Sequence, residues 1–174
     1  ILVAQGMSGG ERMFIEWSRR WSEGGHTVNV YTSEEGAEKC KNYGLDKVNY
    51  HILASAWYDK FDDTTRYLMR TVRGILKVRQ SAYSENARTV VYSSSDFWPD
   101  ALCGYVMSRK LRCPWVAGFY AFTSSPFRRY GSDALTWPSL RLSAYYLSQK
   151  LAYQLVKRHA DMVLVTNEGD IERF

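Results

Sequence analysis

The chain has 174 residues, 45% of them hydrophobic, and a formal net charge of +5. It is long enough for one α/β domain with a buried core, it has no apolar run of about 18 residues to cross a membrane, and no signal-peptide pattern opens it. The positive charge favours anionic partners such as phosphates, acidic lipid headgroups or nucleic acid.

The first segment reads as strand, glycine turn, helix. An apolar run, Ile1-Leu2-Val3-Ala4, leads to Ser8-Gly9-Gly10-Glu11. Ser8 and Glu11 have capping-box spacing. Gly9 and Gly10 carry no Cβ to hold a ligand off the backbone, and bare amides at a helix N-terminus favour a phosphate. The alternative is a tight turn with no ligand. The first helix spans Glu11 to about Ser22, with Met13, Phe14, Trp17 and Trp21 on one face, and Gly24-Gly25 ends it. Thr27–Thr32 and Lys47–Leu53 read as strands. A long helix follows from about Asp62 to Tyr83, with Leu68, Met69, Val72, Ile75 and Leu76 expected inward.

Thr89–Ser93 is a β-branched strand, and Pro99 suits the first turn of the next helix, which runs to about Lys110. Asp96 is placed to cap that helix; the sharper alternative is that it orients a sugar hydroxyl. Trp115–Phe122 is a buried strand, and a loop with Pro126, Gly131 and Pro138 follows. Leu140–Arg158 is helical, with Leu140, Ala144, Leu147, Leu151 and Leu155 on one face, and Met162–Thr166 is the last strand. Ile1 already lies in a strand and Asp170–Phe174 reads as a helix beginning, so the expectation is a piece of a longer protein.

Alternating strands and helices, with several strands apolar throughout, predict a Rossmann-like, doubly wound, mainly parallel α/β sheet covered by helices on both faces. Ligands of such sheets bind outside the carboxyl ends of the strands. Gly9-Gly10, Asp96, Tyr120 and Asn167-Glu168 follow predicted strands and are expected on one edge.

Other constellations narrow the chemistry. The glycine spacing fits neither G-x-G-x-x-G nor a P-loop. Cys40, Cys103 and Cys113 share no metal-ligand spacing and make no disulfide framework, which points to a reducing, cytoplasmic compartment. His26, His51 and His159 have no partner spacing, and no metal or cofactor is expected. Arg66, Arg70, Arg73 and Lys77 form a basic stripe at helical spacing. It reads as a solvated helix face or as a contact for anionic lipid headgroups. It lacks stacking aromatics, so no nucleic acid is expected. Trp115–Trp137 is dense in aromatics, Tyr120 and Phe122 among them, and reads as a core strand with a packed loop or as an acceptor pocket.

Gly9-Gly10-Glu11-Arg12, then Glu23-Gly24-Gly25-His26-Thr27-Val28 leading into Tyr31-Thr32, resembles the start of a GT-B glycosyltransferase. It is most similar to the retaining family called glycosyltransferase group 1, or family 4. Ala160-Asp161-Met162-Val163-Leu164-Val165-Thr166-Asn167-Glu168 resembles that family's last N-domain strand. The resemblance implies one acceptor-side domain over residues 1–174, with the nucleotide-sugar domain and its Glu-x7-Glu signature outside this chain. It implies Gly9 and Gly10 at the donor diphosphate, and Glu11, Asp96, Tyr120 and Phe122 at a glycan or lipid-linked acceptor. Many relatives carry a histidine where this chain has Tyr120, and tyrosine does not titrate near neutral pH. The catalytic residue stays unassigned, with Tyr120 and Asp96 as candidates. The other readings are a stand-alone Rossmann-like module for a phosphorylated ligand and a domain serving as an assembly surface.

Overall fold

The computed structural model describes residues 9–53, 63–80, 88–123, 125–127, 137 and 140–174. The first strand (Ile1–Ala4), the Ser8 cap, and Gly131 and Pro138 of the long loop lie outside the described residues. The chain divides into two compact units, Ile1–Lys77 and Val78–Phe174. Both are α/β with parallel strands, in sheets of two and three strands.

In the first unit, helix α1 runs Gly9–Glu23, so both glycines lie inside its first turn. It ends where expected. Gly24 N–H donates to Arg20 O and His26 N–H to Trp21 O, at 2.9 and 3.0 Å. The chain reverses through Gly25 at φ +83, a left-handed conformation that glycine adopts without a Cβ penalty. Strand β1 is Asn29–Ser33 and β2 is Asn49–Leu53, paired in parallel from Asn29 opposite Asn49 to Ser33 opposite Leu53. Between them lies a helix that the apolar periodicity does not predict, α2, Glu34–Asn42. Ser33 caps it, its hydroxyl accepting from Gly36 N–H at 3.2 Å. Glu34 and Glu35 in its first turn and Lys39 and Lys41 in its last complement the helix dipole. Ile15, Cys40 and Leu45 form the core, with Phe14, Val48 and Tyr50 packed on it.

Helix α3 is Asp63–Gln80, and its inward face differs from the expected one. Leu68, Val72 and Leu76 are 61%, 51% and 49% exposed. Thr71 and Gly74 are buried instead, with Met69 and Ile75 intermediate. Periodicity locates an apolar stripe but does not say which face is covered; in α3 the covered positions are Thr71 and Gly74.

In the second unit, β3 is Val91–Ser93, α4 Trp98–Leu111, β4 Trp115–Gly118, α5 Leu140–His159 and β5 Met162–Leu164, followed by a 3₁₀ turn at Glu168–Arg173. The sheet order is β3-β4-β5, all parallel. Right-handed crossovers stepping one way along a sheet put their helices on one face, and α4 and α5 do pack on each other. Pro99 sits in the first turn of α4, as its fixed φ and missing N–H favour. Arg112 closes α4 at φ 51, its N–H donating to Ser108 O. Trp115, Ala117, Phe119, Ala101, Ala152 and Val156 make the core. The strand expected to reach Phe122 ends at Gly118, though Phe119 N–H still donates to Leu164 O at 2.8 Å.

The buried face of α5 is also displaced from its leucine stripe. Leu147 and Leu151 are 59% and 51% exposed, whereas Gln149, Ala152 and Val156 are buried.

Candidate functional site

Three chain segments leave the second sheet at its carboxyl edge: Ser94-Ser95-Asp96 after β3, Phe119-Tyr120-Ala121 after β4, and Val165-Thr166-Asn167 after β5. Side chains tie them together. Thr166 Oγ1 donates to Tyr120 O at 2.9 Å. Gln149, rising from α5, donates from Nε2 to Asp96 Oδ2 at 2.5 Å and to Ala121 O at 2.7 Å, while its Oε1 accepts from Thr123 N–H at 2.7 Å. One amide thus fixes both the residue after β3 and the loop after β4.

Asp96 is the buried acid of this edge, 7% exposed. It does not cap α4, because the N-cap position is Phe97, which makes no side-chain cap bond. Burial raises the Asp96 carboxyl above the usual carboxylate range; the Gln149 bond opposes that rise, and nearby Asp100 adds to it. The next acid along, Asp100, accepts from Ser95 Oγ at 2.5 Å.

The Tyr120 hydroxyl meets the Tyr92 hydroxyl of β3. Its ring folds back over Gly118, so that a Cβ there would lie 2.5 Å from Oη and 2.6 Å from Cζ. A side chain at position 118 would have to displace the Tyr120 ring. Burial raises the Tyr120 phenol, and raises Tyr92 further, with the Tyr120 bond adding to the rise. Both stay protonated hydroxyls, able to donate or accept but not to act as bases at neutral pH. Cys103 is pushed up to about 12, mainly by burial, and Cys40 and Cys113 are raised for the same reason. None offers a thiolate nucleophile near neutrality. Among the described residues no group of three His, Cys, Asp or Glu side chains could hold a metal ion.

Phe122 joins an aromatic cluster with Phe119, Tyr153 and Phe174, at ring-centre separations of 4.7, 5.7 and 6.0 Å. The Arg173 guanidinium lies 4.2 Å from the centre of its ring. Asn167 caps the 3₁₀ turn, accepting from Asp170 N–H at 3.0 Å, and Glu168 beside it is exposed.

The glycine turn, Glu11 and the basic stripe belong to the first unit. Gly9 is exposed, and a Cβ built on it meets no atom of the described residues within 4 Å. Gly10 is partly buried. Glu11 reaches Lys39 Nζ of α2 with both oxygens, at 3.0 and 3.1 Å, which pins α1 to α2. Arg70 and Arg73 are partly buried and Lys77 is exposed on α3, while the Arg66 side chain lies outside the described ones. Arg128, Arg129 and Tyr130 of the aromatic loop lie outside them too.

Sequence reasoning paired Asp96 and Tyr120 with one edge but missed Gln149 and Tyr92, which hold them. The signal for Gln149 was faint: a single amide in a leucine-rich helix, four residues after Tyr145 and three before Ala152. No protein-family model matches the chain, and no curated protein matches it significantly.

Proposed function

We propose that this chain is the acceptor-side half of a retaining GT-B glycosyltransferase, whose whole moves a sugar from a nucleoside diphosphate to a glycan or lipid-linked acceptor. The doubly wound sheet of such a half and its position at the cytoplasmic face are part of the same proposal. The observation that supports it most is the carboxyl edge of the second sheet, where Asp96, Tyr120 and Thr166 follow three parallel strands, the place where α/β sheets hold ligands. In this reading the Tyr120 hydroxyl bonds an acceptor hydroxyl, and Asp96, held by Gln149, orients it. Phe122 supplies an apolar wall. Gly9 and Gly10 offer backbone N–H groups to the donor diphosphate at the start of α1.

Retaining transfer of this kind rests on positioned reactants and a stabilised diphosphate leaving group. Protonated tyrosines and a buried acid meet that need without a titrating base. The test is titration of the whole protein with nucleoside-diphosphate hexoses, together with release of nucleoside diphosphate in the presence of acceptor. Gly10→Val is expected to weaken donor binding by at least about tenfold. Tyr120→Phe is expected to raise the acceptor KM about fivefold, the net worth of one hydrogen bond, and to leave donor affinity unchanged. Binding of none of these donors would overturn the reading. Donor binding without transfer would replace it with a phosphate-ligand module.

A further inference from the structure

Helix α5 carries an apolar line that the packing of its own unit does not use. Its packed face holds Gln149, Ala152 and Val156. Ala144, Leu147, Leu151 and Leu155 recur at i, i+3, i+7 and i+11 on another side. At about 100° per residue they span about 80°, and the centre of their line lies about 130° from that of the packed face. Leu147 and Leu151 are 59% and 51% exposed, Ala144 is exposed, and Leu155 is partly covered. A single exposed leucine is ordinary. An apolar line in register over about three turns is the pattern by which one helix receives another.

The charges beside the line say what covers it. Arg158 is exposed three residues past Leu155 and falls within the same arc. Lys150 is exposed on the flank beside Leu147 and Leu151, its ammonium 4.9 Å from the centre of the Tyr146 ring. Helix α5 has no acid in its 20 residues. The complement of this face is therefore an apolar stripe bordered by carboxylates. A second copy meeting the same line brings no acid to the contact, because α5 has none to bring. A helix lying in a lipid headgroup layer keeps its cations on the face opposite its apolar side chains. Here Arg158 stands on the apolar line itself, where a partner's carboxylate can pair with it.

We propose that α5 docks an acidic amphipathic helix of a partner protein, which packs its apolar side on Ala144, Leu147, Leu151 and Leu155 and sets its carboxylates against Lys150 and Arg158. This docking is independent of glycosyl transfer, and its test needs no turnover. The whole chain is titrated, by fluorescence anisotropy, with a labelled model helix that carries leucines at i, i+3, i+7 and i+11 and glutamates on both borders. The control is the same helix with lysine for every glutamate. The glutamate helix is expected to bind at least about tenfold more tightly than the lysine helix, by a margin that shrinks as salt rises. Leu147→Ser/Leu151→Ser is expected to weaken it about tenfold, and Lys150→Glu/Arg158→Glu to reverse the preference between the two helices. Far-UV circular dichroism checks that each variant keeps its fold. Leu151→Ser alone, expected to lose about threefold, serves if the double variant unfolds. Equal binding of the two helices, binding of neither, or unchanged binding by the variants would overturn the proposal. So would flotation with phosphatidylglycerol vesicles that the serine variants abolish, which would assign the line to lipid. A wild-type dimer in light scattering that the same variants dissociate would assign it to a second copy and overturn the proposal too.

Discussion

The two units bury polar groups in different ways. In the second, Trp115 Nε1–H donates to Ser93 Oγ at 3.0 Å, and Gln149 satisfies Asp96, Ala121 and Thr123 together. In the first, Ser18 is 1% exposed and its hydroxyl has no hydrogen-bond partner among the described residues. The ties that cross between its elements lie nearer the surface, as in Glu11–Lys39 and Arg19 to Tyr43 O. A satisfied buried network fixes one arrangement of loops, while an unsatisfied group only costs stability. The difference marks the carboxyl edge of the second sheet as the place where the fold holds its polar side chains at fixed positions.

The largest test of that contrast is Trp115→Ala. The indole is fully buried between β3 and α4, where a Cβ at Gly104 would lie 2.7 Å from Nε1. Its loss should cost about 3–5 kcal/mol through the cavity it leaves, and it also removes the donor to Ser93. The urea midpoint by far-UV circular dichroism measures it, and a cost below about 1 kcal/mol would mean that Trp115 is not the centre of this core.

Asp96→Asn tests the network through pH. Because burial holds the native carboxyl above its ordinary value of 3.8, the native state keeps its proton to higher pH than the unfolded chain. Wild-type stability therefore falls as pH rises from the ordinary value through the raised one, and levels off above it. Asparagine keeps an acceptor oxygen for Gln149 and loses that slope. The variant's advantage is expected to be absent in acid and to grow through the window. Urea midpoints from about pH 3 to pH 8 read it directly, and a constant difference would show that Asp96 is not desolvated.

A smaller effect is expected where the first unit leaves its polar group unmet. Ser18→Ala removes a buried hydroxyl that has no partner among the described residues and places the best helix former inside α1. It should stabilise by about 1 kcal/mol. A loss of stability in the same urea titration would reveal a partner for the hydroxyl.

What could be read from the sequence divides along the range of the interactions. Boundaries set by neighbours were legible: Gly24-Gly25 past α1, Pro99 opening α4, and the β-branched runs of β1, β3 and β5. Helix α2 also had local signals, with Ser33 before Glu34-Glu35 and Gly44 beyond Lys39-Lys41, but its sequence offers too few apolar residues for a periodic stripe. The site was half legible. Asp96 and Tyr120 follow strands, and strand ends are where ligands sit. Gln149 and Tyr92 act across 53 and 28 positions of sequence, and nothing local announces a partner that distant.

The same limit applies to α5 and yields the finest test. Its leucines recur at helical spacing, so periodicity alone turns Leu147 and Leu151 inward. The packed face instead carries Gln149, Ala152 and Val156, because small side chains let α5 approach its neighbours closely while Gln149 reaches the loop after β4. Leu147→Ser and Leu151→Ser should each change stability by no more than about 0.5 kcal/mol. Val156→Ala removes two buried methyl groups and should cost about 2 kcal/mol. Equilibrium unfolding of the three variants side by side decides which face is packed. If either serine variant costs as much as Val156→Ala, the leucine stripe is the covered one, and the buried positions of Gln149 and Asp96 fall with it.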